Sequence, residues 1–224
     1  MLTTINNVLS ADELETINQL VNTADWRSGR HSAGAHAAEI KHNDEMDQQC
    51  ESWKTINQLV VTKLYQHEAF QRAALPSKVS AAFVSRYGTG MQYPPHVDDP
   101  VMGSASARYR SDIAVTVFLS NKDSYDGGEL KIHTRFGPVN VKLDAGAAVV
   151  YPASSLHEVT EITAGQRLAC VLWAQSLVRS AEQREILSDL DEARQALHLS
   201  AKAAQVTATV DRAYTNLLRM WSEV

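Results

Sequence analysis

Apolar positions recur with three different rhythms along the chain. Leu14, Ile17, Leu20 and Val21 follow one another at three- and four-residue steps. They come directly after Ser10-Ala11-Asp12-Glu13, a capping box in which serine and glutamate each satisfy a free amide at a helix start. Trp53, Ile56, Val60 and Leu64 repeat the spacing and predict a second helix. The stretch 27–47 between them is rich in Gly, Ala, Ser and His, has no period, and reads as loop.

From about Val79 the rhythm changes. Short runs rich in β-branched and aromatic residues (AAFVSRY, IAVTVFL, ELKIHT, VNVKL, AAVVY, RLACVLWA) are separated by turn residues, the pattern of sandwich or barrel strands. Asp126-Gly127-Gly128 and Asp144-Ala145-Gly146 tolerate positive φ and predict two tight connections. No helix-length spacer separates consecutive strands, so meander or jelly-roll connectivity fits better than a parallel sheet.

After Leu177 the helical rhythm returns. Ser180 to Gln183 reads as a capping box, with Ile186, Leu190, Ala193 and Leu197 behind it. A further stripe of Ala203, Val206, Val210, Ala213, Leu217 and Met220 suits an antiparallel helix pair, packed on the strands or touching a second copy of the chain as a homodimer. The expected organisation is therefore a strand-rich domain with N-terminal helices over 1–177 and a C-terminal helical hairpin over 178–224.

Bulk properties narrow the class. A chain of 224 residues with 44% hydrophobic content can bury one sizeable core. Net charge is −5 with no run of like charges, which argues against a nucleic-acid partner. No stretch of about eighteen apolar residues and no leader-like start is present, so a cytoplasmic protein without membrane contact is expected. Cys50 and Cys170 lie far apart and fit neither a disulfide framework nor a thiolate zinc site.

Two H-x-D pairs stand out against a background in which composition alone yields about one. His42-Asn43-Asp44 sits in the aperiodic polar stretch with no further ligand in reach and reads as solvated loop. His96-Val97-Asp98 follows a strand and a Gly-rich turn, and alternation puts both side chains on one face. With the distant His157 they can form a facial triad that leaves cis positions open for chemistry. His157 is expected in a hairpin turning near Ala164-Gly165, with Arg167 returning almost opposite. A guanidinium among Leu168, Ala169, Cys170, Val171, Leu172 and Trp173 needs a carboxylate partner, either a ligand or Glu158 or Glu161. His31, His36, His67, His133 and His198 have no convergent context and are assigned structural or solvated roles.

The segments SRYGTGMQYPPHVDDPVMG, YRSDIAVTVFLSNKDSYDGGELKI and AGAAVVYPASSLHEVTEITAGQRLACVLWAQSLVR resemble, in order and spacing, the prolyl/lysyl-hydroxylase-like (PKHD-type) Fe(II)/2-oxoglutarate oxygenases. Within that branch the chain is similar to bacterial iron-uptake-associated hydroxylases, and the likeness extends to the opening helix and the helical tail. The resemblance implies an α+β fold, a double-stranded β-helix (jelly-roll) core with N-terminal helices and a C-terminal helical hairpin. It implies Fe(2+) held by His96, Asp98 and His157, and 2-oxoglutarate held through its distal carboxylate by Arg167, with Tyr87 hydrogen-bonding the same group. It also implies ascorbate (vitamin C) as a reductant, and hydroxylation of a C–H bond with O2 consumed and succinate and CO2 released. The substrate, an amino-acid residue or a small molecule with a link to iron uptake, is left open. Where the family reads K-N-N this chain has Lys41-His42-Asn43, on a loop expected to face substrate.

Residues 99–110 are irregular and small-residue-rich, and are expected to form a substrate lid. Two other readings use the same residues. A zinc hydrolase would share the three ligands but lacks H-E-x-x-H and leaves Arg167 without a purpose. A non-catalytic iron and 2-oxoglutarate sensor would keep both ligands and perform no turnover.

Overall fold

The computed structural model describes residues 2–32, 39–199 and 204–223. In chain order its strands are β1 (Thr3–Ile5), β2 (Trp26–Ser28), β3 (Asp44–Met46), β4 (Pro76–Val79), β5 (Phe83–Tyr87), β6 (Tyr93–His96), β7 (Val101–Met102) and β8 (Tyr109–Arg110). They continue with β9 (Ile113–Phe118), β10 (Tyr125–Gly127), β11 (Leu130–Thr134), β12 (Gly137–Val141), β13 (Ala148–Pro152), β14 (His157–Val159), β15 (Ile162–Gly165) and β16 (Arg167–Ser176). The larger sheet runs β1-β13-β9-β16-β5-β3-β2 with β4 also on β16, and a smaller one runs β12-β11-β14-β6. Every paired strand is antiparallel, as the short connections require. This is the jelly-roll core expected from the sequence.

Three helices cover the outer face of the larger sheet: α1 (Ala11–Asn22), α2 (Glu51–Gln66) and α3 (Glu68–Ala74). The Ser10/Glu13 capping box forms in full. Alternation sorts the central strands. Val115, Val117, Val150, Cys170 and Leu172 join Ile17, Val21, Ile56, Val60 and Phe70 beneath the helices. Ala114, Phe118, Val149 and Tyr151 point the other way, against Leu130 and Ile132 of the smaller sheet. With both faces covered, β9 is buried along its whole length, which is why it reads as an unbroken apolar run.

The sequence misled in three places. Residues 27–47 are not all loop: β2 and β3 extend the larger sheet at its edge, held by an Asp44 to Arg86 salt bridge of 2.8 Å and by Arg86 over the Trp26 ring at 4.2 Å. Three-residue edge strands are too short to show a period. His157 and Arg167 do not share a hairpin: β14 pairs with β6 and β11, β15 with β10, and β16 with β5 and β9, because the chain changes sheets between these short strands. Third, α4 (Ala181–His198) and α5 (Ala204–Trp221) do pair, but the seam of α5 is Tyr214, Leu217, Leu218 and Trp221 around Leu187 and Val178. Val206 and Met220 of the expected stripe are 57% and 74% exposed. The two aromatic side chains, carrying more apolar area, take the buried side and rotate the helix accordingly. Ala203 and His36 lie outside the described residues. At α4, Ser180 caps Gln183 N at 3.2 Å, but its hydroxyl donates to Glu182, so only half of the expected box is made.

Candidate functional site

A cavity of about 520 Å³ opens between the two sheets and is lined by His96, Asp98, His157, Tyr87 and Arg167. β14 and β6 set His157 directly opposite His96 in the smaller sheet, and Asp98 follows two residues beyond His96 on the same side. The ligand-capable atoms of the three side chains all lie within 4.8 Å of one another, and His157 Nε2 is 3.8 Å from Asp98 Oδ1. His42-Asn43-Asp44 makes no such cluster: His42 pairs through its backbone with Gln92, and Asp44 is taken by Arg86.

The tautomers are decided locally. His96 Nδ1 lies 2.8 Å from Pro94 O and His157 Nδ1 2.9 Å from Ser155 O. A carbonyl only accepts, so each ring donates Nδ1–H two residues back and turns an Nε2 lone pair into the cavity. The rings are also clamped: Tyr93 stacks on His96 at 3.5 Å and Tyr151 meets His157 edge-on at 5.3 Å. Burial, with His157 alongside, pushes the His96 pKa down to about 3, so its imidazole is neutral and ready to ligate at neutral pH. Burial raises that of Asp98, against neighbours that favour its ionised form.

Two observations test whether the site fits a divalent metal and a dicarboxylate. Asp98 Oδ2 is buried with no hydrogen-bond partner among the described residues, a costly state for a carboxylate that a cation would relieve. Two imidazoles and one carboxylate on one face are the donor set of non-haem Fe(II) oxygenases. On the larger sheet, Arg167 is 1% exposed, makes no ion pair among the described residues, and leaves Nε unpartnered. Glu158, a partner considered from sequence, is instead held by Lys131 and His133. The Arg167 guanidinium lies 5.4 Å from both the Tyr87 and Phe118 rings, with Tyr87 directly across the strand pair. Such a charge is poised for a carboxylate ligand.

Sequence reasoning missed several members of the cavity. Tyr125 carries a buried hydroxyl beside Arg167; burial raises its pKa, and the nearby guanidinium favours its ionised form. Its signal was adjacent: Gly128, at φ +65°, leaves room where a Cβ would come within 3.2 Å of Arg167 Cδ. The expected tight turn is thus also a cradle for the arginine. Trp173 Nε1 is buried near Asp98, where it favours the ionised carboxylate. Glu45 was missed too, and Lys41, on the loop expected to face substrate, meets it in a buried 2.5 Å salt bridge on the cavity wall. Cys170 faces the helices, and burial pushes its thiol up to about 12, which leaves it unreactive.

Comparisons with known proteins agree with this geometry. Residues 82–175 match the family model of the 2OG-Fe(II) oxygenase superfamily, and residues 182–223 match the PKHD-type hydroxylase C-terminal domain. The chain is 49% identical over 224 residues to a PKHD-type hydroxylase of Thioalkalivibrio sulfidiphilus, covering 100% of both. It is 43% identical over 226 residues to one of Polaromonas, again covering 100% of both. Among solved structures, its fold is similar to a prolyl hydroxylase of Trichoplax adhaerens in complex with a hypoxia inducible factor peptide fragment (TM-score 0.54, 18% identity, 84% of this chain and 86% of that one). It is also similar to HygX of Streptomyces hygroscopicus with nickel and 2-oxoglutarate bound (TM-score 0.55, 11% identity, 79% and 84%).

Proposed function

Because the chain belongs to the PKHD-type hydroxylases, Fe(II)- and 2-oxoglutarate-dependent oxygenases, we propose that His96, Asp98 and His157 hold the iron and that Arg167, helped by Tyr87, holds the distal carboxylate of 2-oxoglutarate. The observation that carries this assignment is the convergence of two Nε2 lone pairs and an orphaned carboxylate within 4.8 Å, on a cavity whose floor is an arginine without an ion pair. When bound, iron and 2-oxoglutarate supply the oxidising chemistry, by which O2 and the keto acid become succinate, CO2 and one hydroxyl on a substrate carbon.

The residues of the chain do the positioning. The Nδ1 hydrogen bonds fix both rings so that Nε2 of each is offered to the metal. Arg167 sits across the strand pair from Tyr87, so guanidinium and phenol address one carboxylate from a rigid base. Burial raises the Tyr87 pKa and keeps its hydroxyl a donor. Val159, Val171 and Trp173 line the same space and keep the reacting centre poor in water.

The test is succinate formation by anaerobically purified, Fe(II)-loaded protein given 2-oxoglutarate and O2. The expected result is turnover that His96→Ala abolishes and that Arg167→Ala weakens chiefly in apparent 2-oxoglutarate affinity. Iron binding without succinate under any substrate would favour a sensor.

The helical hairpin 178–224 is read as a second unit around Val178, Leu187 and Trp221, docked on the strand-rich domain through Leu75. Exposed Ile186, Val206 and Met220 support association of two copies through it. Val101, Met102, Gly103 and Tyr109 line the cavity from the β7–β8 hairpin, in support of a lid over 99–110. Two free thiols and an oxidisable Fe(II) suit a reducing, cytoplasmic setting with ascorbate as reductant. No helix among the described residues is long and apolar enough to cross a membrane.

A further inference from the structure

Among the described residues, none of the C-terminal hairpin lines the cavity, yet its last residues reach the cavity wall through a side chain. β8 has two residues, and alternation sends them opposite ways. Tyr109 turns inward: it lines the cavity, with its hydroxyl 3.6 Å from Met102 Sδ of β7 and close to Ser80. Arg110 turns outward and is held from three sides. Its backbone N–H donates to Gln175 Oε1 of β16 at 3.0 Å, its Nε to Asp112 Oδ1 at 2.6 Å and its Nη1 to Glu223 Oε2 at 2.9 Å. Glu223 is itself fixed, because its N–H donates to Leu177 O at 2.8 Å and the neighbouring Ser222 forms a β-bridge with Val178. The chain thus leaves α5 by adding a short rung just beyond the end of β16, and this rung brings a carboxylate to the β7–β8 hairpin.

We propose that Glu223 is a positioning residue for the substrate cavity: through Arg110 it holds the β7–β8 hairpin against the core, so that Tyr109 and Met102 form part of the wall. This rests on the functional reading above and deepens it, since it gives the C-terminal domain a part in shaping the site. The charges around Arg110 give the second carboxylate its use. Arg184 of α4 faces the same Asp112, with Glu182 also nearby, and the charges of Arg184 and Arg110 oppose each other. Asp112 is further committed to the backbone, accepting the Ser176 N–H through Oδ2 at 2.9 Å. Glu223 supplies the negative charge that keeps Arg110 on the hairpin side of this cluster. A hairpin of two residues per strand has little pairing of its own, so its resting position depends on such side-chain anchors.

The experiment is hydrogen exchange on the full chain, which needs neither turnover nor a known substrate, together with NMR of methyl-labelled methionine. Glu223→Gln is expected to speed exchange of the Arg110 and Ser111 amides, which donate to Gln175 Oε1 and Pro100 O, by about two- to fivefold, the range of a partly exposed ion pair. The Met102 methyl resonance, assigned with Met102→Leu, should move as well, because it reports contact with Tyr109, while that of Met46 in the core stays in place. Glu223→Asp keeps the charge and should restore most of both readouts. A double-mutant cycle decides whether Glu223 acts through Arg110: the effect of Glu223→Gln should vanish in an Arg110→Gln background, whereas a merely structural role would add to it. Unchanged exchange, an unmoved Met102 resonance, faster exchange spread over α4 and α5, no recovery in Glu223→Asp, or additivity with Arg110→Gln overturns the proposal. Succinate formation, measured separately with His96→Ala as control, reports on the oxygenase reading alone.

Discussion

At the floor of the cavity, Arg167, Tyr87 and His157 are 1%, 4% and 5% exposed and stand on strands paired on either side. At its mouth, Val97 and Val101 are 52% and 56% exposed, the second on a strand of two residues. The floor holds the groups proposed to bind iron and 2-oxoglutarate, and each is fixed by register or by a backbone hydrogen bond. The mouth is built from short segments whose sequence can change without disturbing the sheets. Rigid placement thus goes to the chemistry, and variability to whatever selects the substrate.

The hardest blow to the floor is loss of a ligand. Asp98→Asn or His157→Ala is expected to remove iron binding, measured by metal content after dialysis, together with all succinate formation. Changing a mere outer partner of a metal ligand costs about 10- to 100-fold, so loss of the ligand itself should exceed that. Retained stoichiometric iron in either variant would break the assignment.

Next comes Arg167→Leu. Charge-assisted hydrogen bonds contribute roughly 1.5–3 kcal/mol each, so losing two predicts an apparent 2-oxoglutarate affinity weaker by about a hundredfold or more. The same variant should raise the melting temperature of ligand-free protein, because it removes a buried charge that makes no ion pair among the described residues. A variant that loses affinity but melts lower would mean the guanidinium serves the fold as well.

Much of the floor was legible in the sequence because its signals are local or repeat. His96 and Asp98 share a face by alternation, the Ser10 capping box is four residues long, and β9 advertises burial on both sides. What was not legible is long-range pairing. The ten-residue spacing of His157 and Arg167 suggests a hairpin, whereas the two residues reach the cavity from different sheets, His157 opposite His96 and Arg167 opposite Tyr87. Nor does any local pattern bring Glu45 of β3 to the cavity wall, because a three-residue strand carries too few positions for periodicity to speak.

A smaller effect separates the floor from the mouth by pH. The His96 pKa is about 3 in the fold and near 6.5 in an unfolded chain, so between those values the unfolded state binds more protons. Stability of metal-free protein should therefore fall as pH drops through 6.5 towards 5, at up to about 1.4 kcal/mol per pH unit from this one group. Asp98 acts in the opposite sense, since its raised pKa lets the fold keep a proton that the unfolded chain releases, which blunts the loss at lower pH. Thermal melts of metal-free protein at pH 7, 6 and 5, compared with His96→Gln, check this: the variant should show a shallower decline. Equal slopes would place the proton uptake elsewhere.

The smallest effect decides whether Tyr87 belongs to the cofactor site or only to the core. Its ring packs with Tyr125, Val159 and Ile162, which by itself would explain its burial. It also lines the cavity directly across from Arg167, and its hydroxyl stays protonated well above neutral pH. Tyr87→Phe keeps the ring and deletes the hydrogen bond, worth about 0.5–1.5 kcal/mol net. If the hydroxyl helps hold the 2-oxoglutarate carboxylate, apparent affinity should weaken by roughly two- to tenfold with kcat nearly unchanged, because the interaction is the same before and during reaction. An unchanged affinity would leave Arg167, with Tyr125 as the next hydroxyl to test, as the whole of the carboxylate site.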